Sequence, residues 1–181
     1  MNINLPILFI EIGISEIKFI VGKEDKDRFQ LILEKTINVQ GIKNKKIQDF
    51  DLLLNLFKTN IYLIEQELNF TFKETIVILE NFNLSLLNLS GYKRLNGSQL
   101  KRENITFILN SLKAKVEEIE NQKKVIHIFN SKYTLDKNKM ENLPTGLFGN
   151  FYSQELSFFL IEKTDFKNLE NLFNRCNLRL K

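Results

Sequence analysis

Residues 6–22 read Pro6-Ile7-Leu8-Phe9-Ile10-Glu11-Ile12-Gly13-Ile14-Ser15-Glu16-Ile17-Lys18-Phe19-Ile20-Val21-Gly22. Two short apolar runs rich in Ile and Phe flank the turn Gly13-Ile14-Ser15. Runs of this length bounded by turn residues specify strands rather than a helix. The reading is a strand over 6–13, a tight turn, and a strand over 16–22. A third strand over 29–39 follows the charged turn Lys23-Glu24-Asp25-Lys26-Asp27, completing a β-meander.

Upstream, the apolar stretch Ile3 to Ile14 has no preceding Lys or Arg and no small-residue cleavage site, and Glu11 interrupts it. It is expected to be a buried strand, not a signal peptide. No run in the sequence approaches the roughly 18 apolar residues that a spanning helix needs.

Downstream, Gly41-Ile42-Lys43-Asn44-Lys45-Lys46 is a polar connection. A helix is expected over 51–68, with Leu53, Phe57, Ile61 and Ile64 on one face and Asp49 or Asp51 as its cap. A strand over 75–79 follows. The pattern then restarts with a strand over 84–89, and Gly91 and Gly97 mark turns. Ser98 lies just before a helix over 100–119 whose apolar face is Ile105, Ile108, Leu109 and Leu112. Then come a strand over 125–129, a loop containing Pro144, Gly146 and Gly149, a strand over 153–161, and a helix over 165–175 capped by Thr164 or Asp165. The second half thus reads strand–helix–strand–strand–helix, so the fold class is α+β. Residues 179–181 look like the start of another strand, with nothing after it to complete a sheet.

The totals agree with a folded chain. Its 181 residues suffice for one ordinary domain or two small ones, and 43% hydrophobic with 27% charged residues is a globular balance. Sixteen Phe and no Trp supply the apolar bulk. The net charge of +4 comes from 26 basic and 22 acidic residues, nearly all the basic ones Lys. The lysines are spread along the chain instead of forming a stripe. With Asn and Ile abundant and Ala114 the only alanine, this matches AT-rich coding rather than a nucleic-acid footprint. A single cysteine, Cys176, permits no internal disulfide and suits a reducing compartment.

Chemical candidates are few. Backbone N–H groups and the Ser15 hydroxyl in the Gly13–Ser15 turn can cradle phosphate, since glycine allows close backbone approach; the plain alternative is an ordinary β-turn. His127, the only histidine, sits among apolar neighbours and reads as a structural strand residue. Cys176 has no partner at metal-ligand spacing and reads as inert. Glu117, Glu118 and Glu120, followed by Lys123-Lys124, read as a solvated charged face. No Ser-His-Asp order, Walker loop or metal-ligand cluster appears, so enzymatic activity is not expected.

The order of these pieces resembles the FtsA family of bacterial actin-like cell-division proteins. In that family a strand ends in an Asp-Ile-Gly-Thr-Ser type phosphate loop and continues as a hairpin; here the residues are Glu11-Ile12-Gly13-Ile14-Ser15, then Ile17-Lys18 and Val21-Gly22. Gly41, Lys43, Lys46, Ile47 and Asp49 match a Gly, a Lys-rich turn and an Ile-x-Asp before a helix. Asn88 and Gly91 match an Asn and a Gly. Val125-Ile126-His127-Ile128-Phe129, Tyr133 and Asp136 match a strand of the form Ile-Leu-His-Val-Ile-Pro with its following Tyr and Asp. Met140 and Gly146-Leu147 match a Met-x-Gly loop, and Asn168-Leu169, Arg175 and Leu178 match a final helix. Departures are Glu11 for Asp, Ile14 for a hydroxyl residue, Asn81 near an expected Gly, and Cys176-Asn177 for Ala-Gly.

The resemblance implies an actin-like, ribonuclease H-like first subdomain over 1–83 and an inserted SHS2-type subdomain over 84–178. It gives Glu11, Gly13 and Ser15 to a degenerate phosphate loop, with Glu11 acting around the metal of a nucleotide. The second phosphate loop and the adenosine loop would lie beyond Lys181. This chain alone is therefore expected not to hold ATP, which becomes possible only in a longer protein. The implied role is a scaffold at the cytoplasmic face of the membrane at the division site. Residues 84–178 would contribute self-association and contacts with division proteins, while FtsZ binding and a membrane-binding helix would lie downstream. No nucleic-acid partner is implied. The alternatives are a pilus-assembly adaptor that shares the inserted subdomain, and a nucleotide-hydrolysing actin-like ATPase fragment.

Overall fold

Along β1 (Ile7–Ile12) every second side chain is buried, namely Leu8, Ile10 and Ile12. That period of two is what a strand with one covered face produces. The same alternation buries Ile17, Phe19 and Val21 on β2 (Glu16–Asp25), which pairs antiparallel with β1. The computed structural model describes residues 5–25 and 28–181. Ile3, Lys26 and Asp27, invoked above, lie outside the described residues.

β3 (Arg28–Asn38) adds to β2, with a register shift between Val21 and Gly22. Two short strands, β4 (Ile42–Lys43) and β5 (Lys46–Ile47), form a hairpin where the sequence suggested only a polar connection. Asn44 and Lys45 make its turn with φ of 53° and 60°. Helix α1 (Phe50–Leu68) follows. Its first turn is capped by Asp49, whose Oδ1 accepts from the Leu52 N–H at 2.9 Å, and Leu53, Phe57, Ile61 and Ile64 are buried as its periodicity requires. Strand β6 (Glu74–Leu79) lies parallel to β1.

The chain divides into two compact units, 1–83 with 164–181, and 84–163. The final helix α3 (Lys163–Arg175), placed with the second half in the sequence reading, belongs to the first unit. Its Phe173 ring meets Phe57 at 5.5 Å, and Phe57 meets Phe19 of β2 at 5.6 Å. Asp165, considered as a cap, instead lies within the first turn of α3; it is buried, and its Oδ2 has no hydrogen-bond partner among the described residues. Asn177, set against a family Gly, takes φ 60°. Asn tolerates the left-handed region, and the Leu178 N–H then reaches back to the Phe173 carbonyl at 2.9 Å. The segment 179–180 forms β11 (Arg179–Leu180), parallel to β6, giving the sheet order β11-β6-β1-β2-β3.

In the second unit, β7 (Leu84–Arg94), α2 (Arg102–Ile119), β8 (Lys123–Leu135), β9 (Asn138–Met140) and β10 (Phe151–Glu162) build a sheet of order β7-β10-β8-β9. Ile108, Leu112 and Val116 of α2 join Leu156, Phe158 and Leu160 of β10 in one core. Gly91, read as a turn, is instead a strand residue opposite Gln154. A Cβ there would stand 2.6 Å from Ile108 Cγ2, so helix–sheet packing, not chain reversal, accounts for this glycine.

Candidate functional site

The turn Gly13-Ile14-Ser15 sits at the carboxyl end of β1, beside the carboxyl end of its parallel neighbour β6. Ligands of open α/β sheets gather at that end of parallel strands. The Gly13 N–H donates to the Glu16 carbonyl at 2.9 Å, and the Ser15 carbonyl accepts from the Val39 N–H at 2.9 Å. The Ile12 carbonyl accepts from the N–H groups of both Glu80 and Asn81 at 3.1 Å. The first amide of the turn is therefore committed inside the hairpin.

Side chains around the turn are mostly unhelpful to a bare anion. Ile14 is 70% exposed and offers no hydroxyl. Glu11 forms an ion pair with Lys18, Nζ to Oε2 3.7 Å. A second acid stands close by: a Cβ on Gly13 would lie 3.1 Å from Glu80 Oε2. Phosphate approaching this turn meets the Glu80 carboxylate, so a metal ion would have to accompany it. Of the three proposed site residues, Gly13 and Ser15 share this turn and Glu11 lies at the end of the strand leading into it. Glu80 was not singled out from sequence. Its signal was topological, as the first residue after a strand that pairs parallel with β1.

The other chemical candidates are dispersed. His127 is exposed on β8 and its ring lies 4.3 Å from that of Phe129. Burial pushes the Cys176 thiol up to about 11, against the pull of Lys58 and Arg175. Lys115 pairs with Glu118 at 2.9 Å and Lys123 with Glu120 at 3.1 Å, both on the surface. At the amino ends of β1 and β6 lies a cleft of about 660 Å³ whose lining includes Pro6, Phe70, Phe72 and Glu74. Hydrogen bonds from Arg179 and Lys181 hold the Glu74 carboxyl below its ordinary range.

No family model and no curated protein matches the sequence. Among solved structures, the chain is similar to the PilM-PilN type IV pilus biogenesis complex, with TM-score 0.63 and 9% identity over 98% of this chain and 46% of that one. It is also similar, over 40% of its length, to ethanolamine utilization protein EutJ from Carboxydothermus hydrogenoformans, with TM-score 0.34, 11% identity and 26% of that chain covered. The Aquifex aeolicus PPX-GPPA enzyme gives TM-score 0.32 and 11% identity over 40% of this chain and 26% of its own. The chain thus spans less than half the length of the proteins it matches. Its fold is α+β and actin-like.

Proposed function

We propose that this chain is part of an actin-like adaptor that works by binding other proteins during assembly of a type IV pilus-like machine. The observation that carries the reading is the likeness to the PilM-PilN complex, which extends over 98% of the chain and therefore takes in both units. The residues around Gly13 are consistent with an adaptor. A turn with one amide committed, no hydroxyl at position 14 and a carboxylate alongside is a poor catalytic centre for phosphoryl transfer, which depends on dense electrostatic stabilisation. In this reading the chain itself catalyses nothing, and nucleotide binding belongs to a longer protein. It would work in the cytoplasm, at the inner face of the membrane.

A second reading, a cell-division scaffold of the FtsA type, is supported by the ordered residues Glu11 to Ser15, Gly41 to Asp49, Val125 to Asp136 and Asn168 to Leu178. One experiment separates the two. The native protein is tagged in its own cells, cross-linked and purified, and its partners are identified by mass spectrometry. Recovery of pilus-assembly proteins supports the first reading. Recovery of FtsZ or other septal proteins without pilus components overturns it in favour of the second.

A further inference from the structure

An exposed sheet edge carries a row of unpaired N–H and C=O groups, and proteins blunt such edges with bulges, charges, proline or short length. Most of the described edges follow that rule; β11 covers β6 only at Glu74 and Thr75, which leaves the four residues Ile76–Leu79 open, and β7 is the long exception. β3 has a bulge that leaves Ile32 without a partner residue, and it carries Arg28, Glu34 and Lys35. β8 has shifts that leave Ile126 and Ser131 unpaired, and it carries Lys123, Lys124 and Lys132. β9 and β11 are 3 and 2 residues long. β7 is long and regular, and its only charges, Lys93 and Arg94, are confined to its last two residues. All 11 of its residues pair with β10 without a shift, it contains no proline, and no charge occurs before Lys93.

Two large apolar side chains of that strand are open, Leu86 at 56% and Tyr92 at 64% exposure, with the exposed Asn88 and Ser90 between them. Phe107 of α2 stands at the same edge, 56% exposed, with Lys93 Nζ 4.3 Å from its ring centroid. We propose that β7 pairs antiparallel with β7 of a second copy of this chain, joining the two four-stranded sheets through their second units.

The sequence of β7 selects the register. Residues opposite one another in an antiparallel pair must be of the same hydrogen-bonding type, so a residue, not a peptide bond, sits on the two-fold axis. With Leu89 on the axis, Leu86 faces Tyr92 of the second copy, Asn88 faces Ser90, and Leu87 faces Gly91. At the centre of the outer face apolar then meets apolar and polar meets polar, and the mismatch of Leu84 with Arg94 falls at the ends of the strand pair. Lys93 and Arg94 oppose Ser85 and Leu84, so no like charges meet. Centring on Asn88 instead sets Leu86 against Ser90 and loses that match.

The contact sets the strength. Eleven residues extend about 37 Å, and a sheet about 10 Å thick gives roughly 740 Å² over both copies. That lies below the roughly 1,200 Å² of a standard stable interface, although the two Phe107 rings add to it. The pair is therefore weak and concentration-dependent, with a dissociation constant of roughly 0.1 mM.

The test uses the full chain in sedimentation equilibrium up to about 1 mM. The weight-average mass should rise from 21.4 kDa toward twice that value. Leu86→Lys, at an exposed position, should weaken association at least tenfold while leaving the circular dichroism unchanged. In a Cys176→Ser background, Leu89→Cys should give a disulfide-linked dimer under mild oxidation, because residues on the axis lie about 4.5–5.5 Å apart between Cα atoms. Ile32→Cys on the blunted edge of β3 should give none. A chain that stays monomeric throughout, or one that cross-links through Ile32→Cys and not through Leu89→Cys, overturns the proposal.

Discussion

The carboxylate of Glu80 stands against Gly13, with its Oε2 3.1 Å from where a Cβ on that glycine would be, and the Glu16 carbonyl oxygen is 3.0 Å from the same point. The Glu16 carbonyl cannot easily retreat, because it accepts the Gly13 N–H at 2.9 Å. Gly13→Ala should therefore cost on the order of 1 kcal/mol, read as a lower urea midpoint. Isothermal titration of the chain with Mg-ATP should show no submicromolar binding. A submicromolar affinity lost in Gly13→Ala would instead mean that this turn binds nucleotide without a second half-site.

Gly91 makes a second packing prediction. Gly91→Ala should lower stability by about 1–3 kcal/mol by overpacking against Ile108. Shortening the obstructing side chain in the same protein, as Gly91→Ala/Ile108→Ala, should cost less than the sum of the two single changes. Additive losses in thermal unfolding would mean that the strand and helix adjust independently.

The row of rings Phe19, Phe57 and Phe173 ties α1 and α3 to the first sheet. Phe57 is fully buried and meets both of the others edge-on. Phe57→Ala should destabilise by about 3–5 kcal/mol. Phe173→Ala should be strongly non-additive with it, since the two share a contact. Independent effects would detach α3 from this core.

Two groups set pH responses, the buried Tyr152 and the half-buried Cys176. Burial, with a smaller contribution from Tyr133, raises Tyr152 from 10.0 to about 12. The folded protein therefore favours the neutral phenol. The resulting stability is complete below pH 10 and drains away as pH rises towards 12. Urea midpoints measured across that range should fall less steeply in Tyr152→Phe than in the parent. Cys176, at about 11 in place of 9.0, should react slowly with iodoacetamide at pH 8 in the native state and much faster in urea. Equal rates would show that the thiol is not shielded.

Local structure was legible where the cause is local. The face Leu53, Phe57, Ile61 and Ile64, and the Asp49 cap, follow from helical periodicity and an orphan N–H. The Gly13–Ser15 hairpin was equally plain. What escaped depends on contacts distant in sequence. β7 continues through Gly91 because Ile108 packs there. β8 runs to Leu135 through Asn130-Ser131-Lys132, a polar stretch that reads as a loop; across the sheet the Ser131 and Ser157 hydroxyls bond one another, and Ser157 donates to Asn88 at 2.7 Å. The amphipathic pattern of α3 marks a buried face without saying which sheet buries it. Glu80 gained its place beside the turn only through the parallel pairing of β6 with β1.

The pairing of β7 with β10 has a consequence for how the chain folds. Ile161 lies opposite Leu84, so the two ends of the interruption between β6 and α3 are strand neighbours. As an unstructured segment, the 80 residues of 84–163 would impose a ring-closure cost of about 4 kcal/mol on bringing Phe173 to Phe57. Once that segment folds, it spans the gap as a short tether and most of the cost disappears. The inserted unit thus acts as an entropic clasp for the sheet that surrounds it in sequence, and a mutation that loosens β7 from β10 weakens the hydrophobic core built around Phe57 as well.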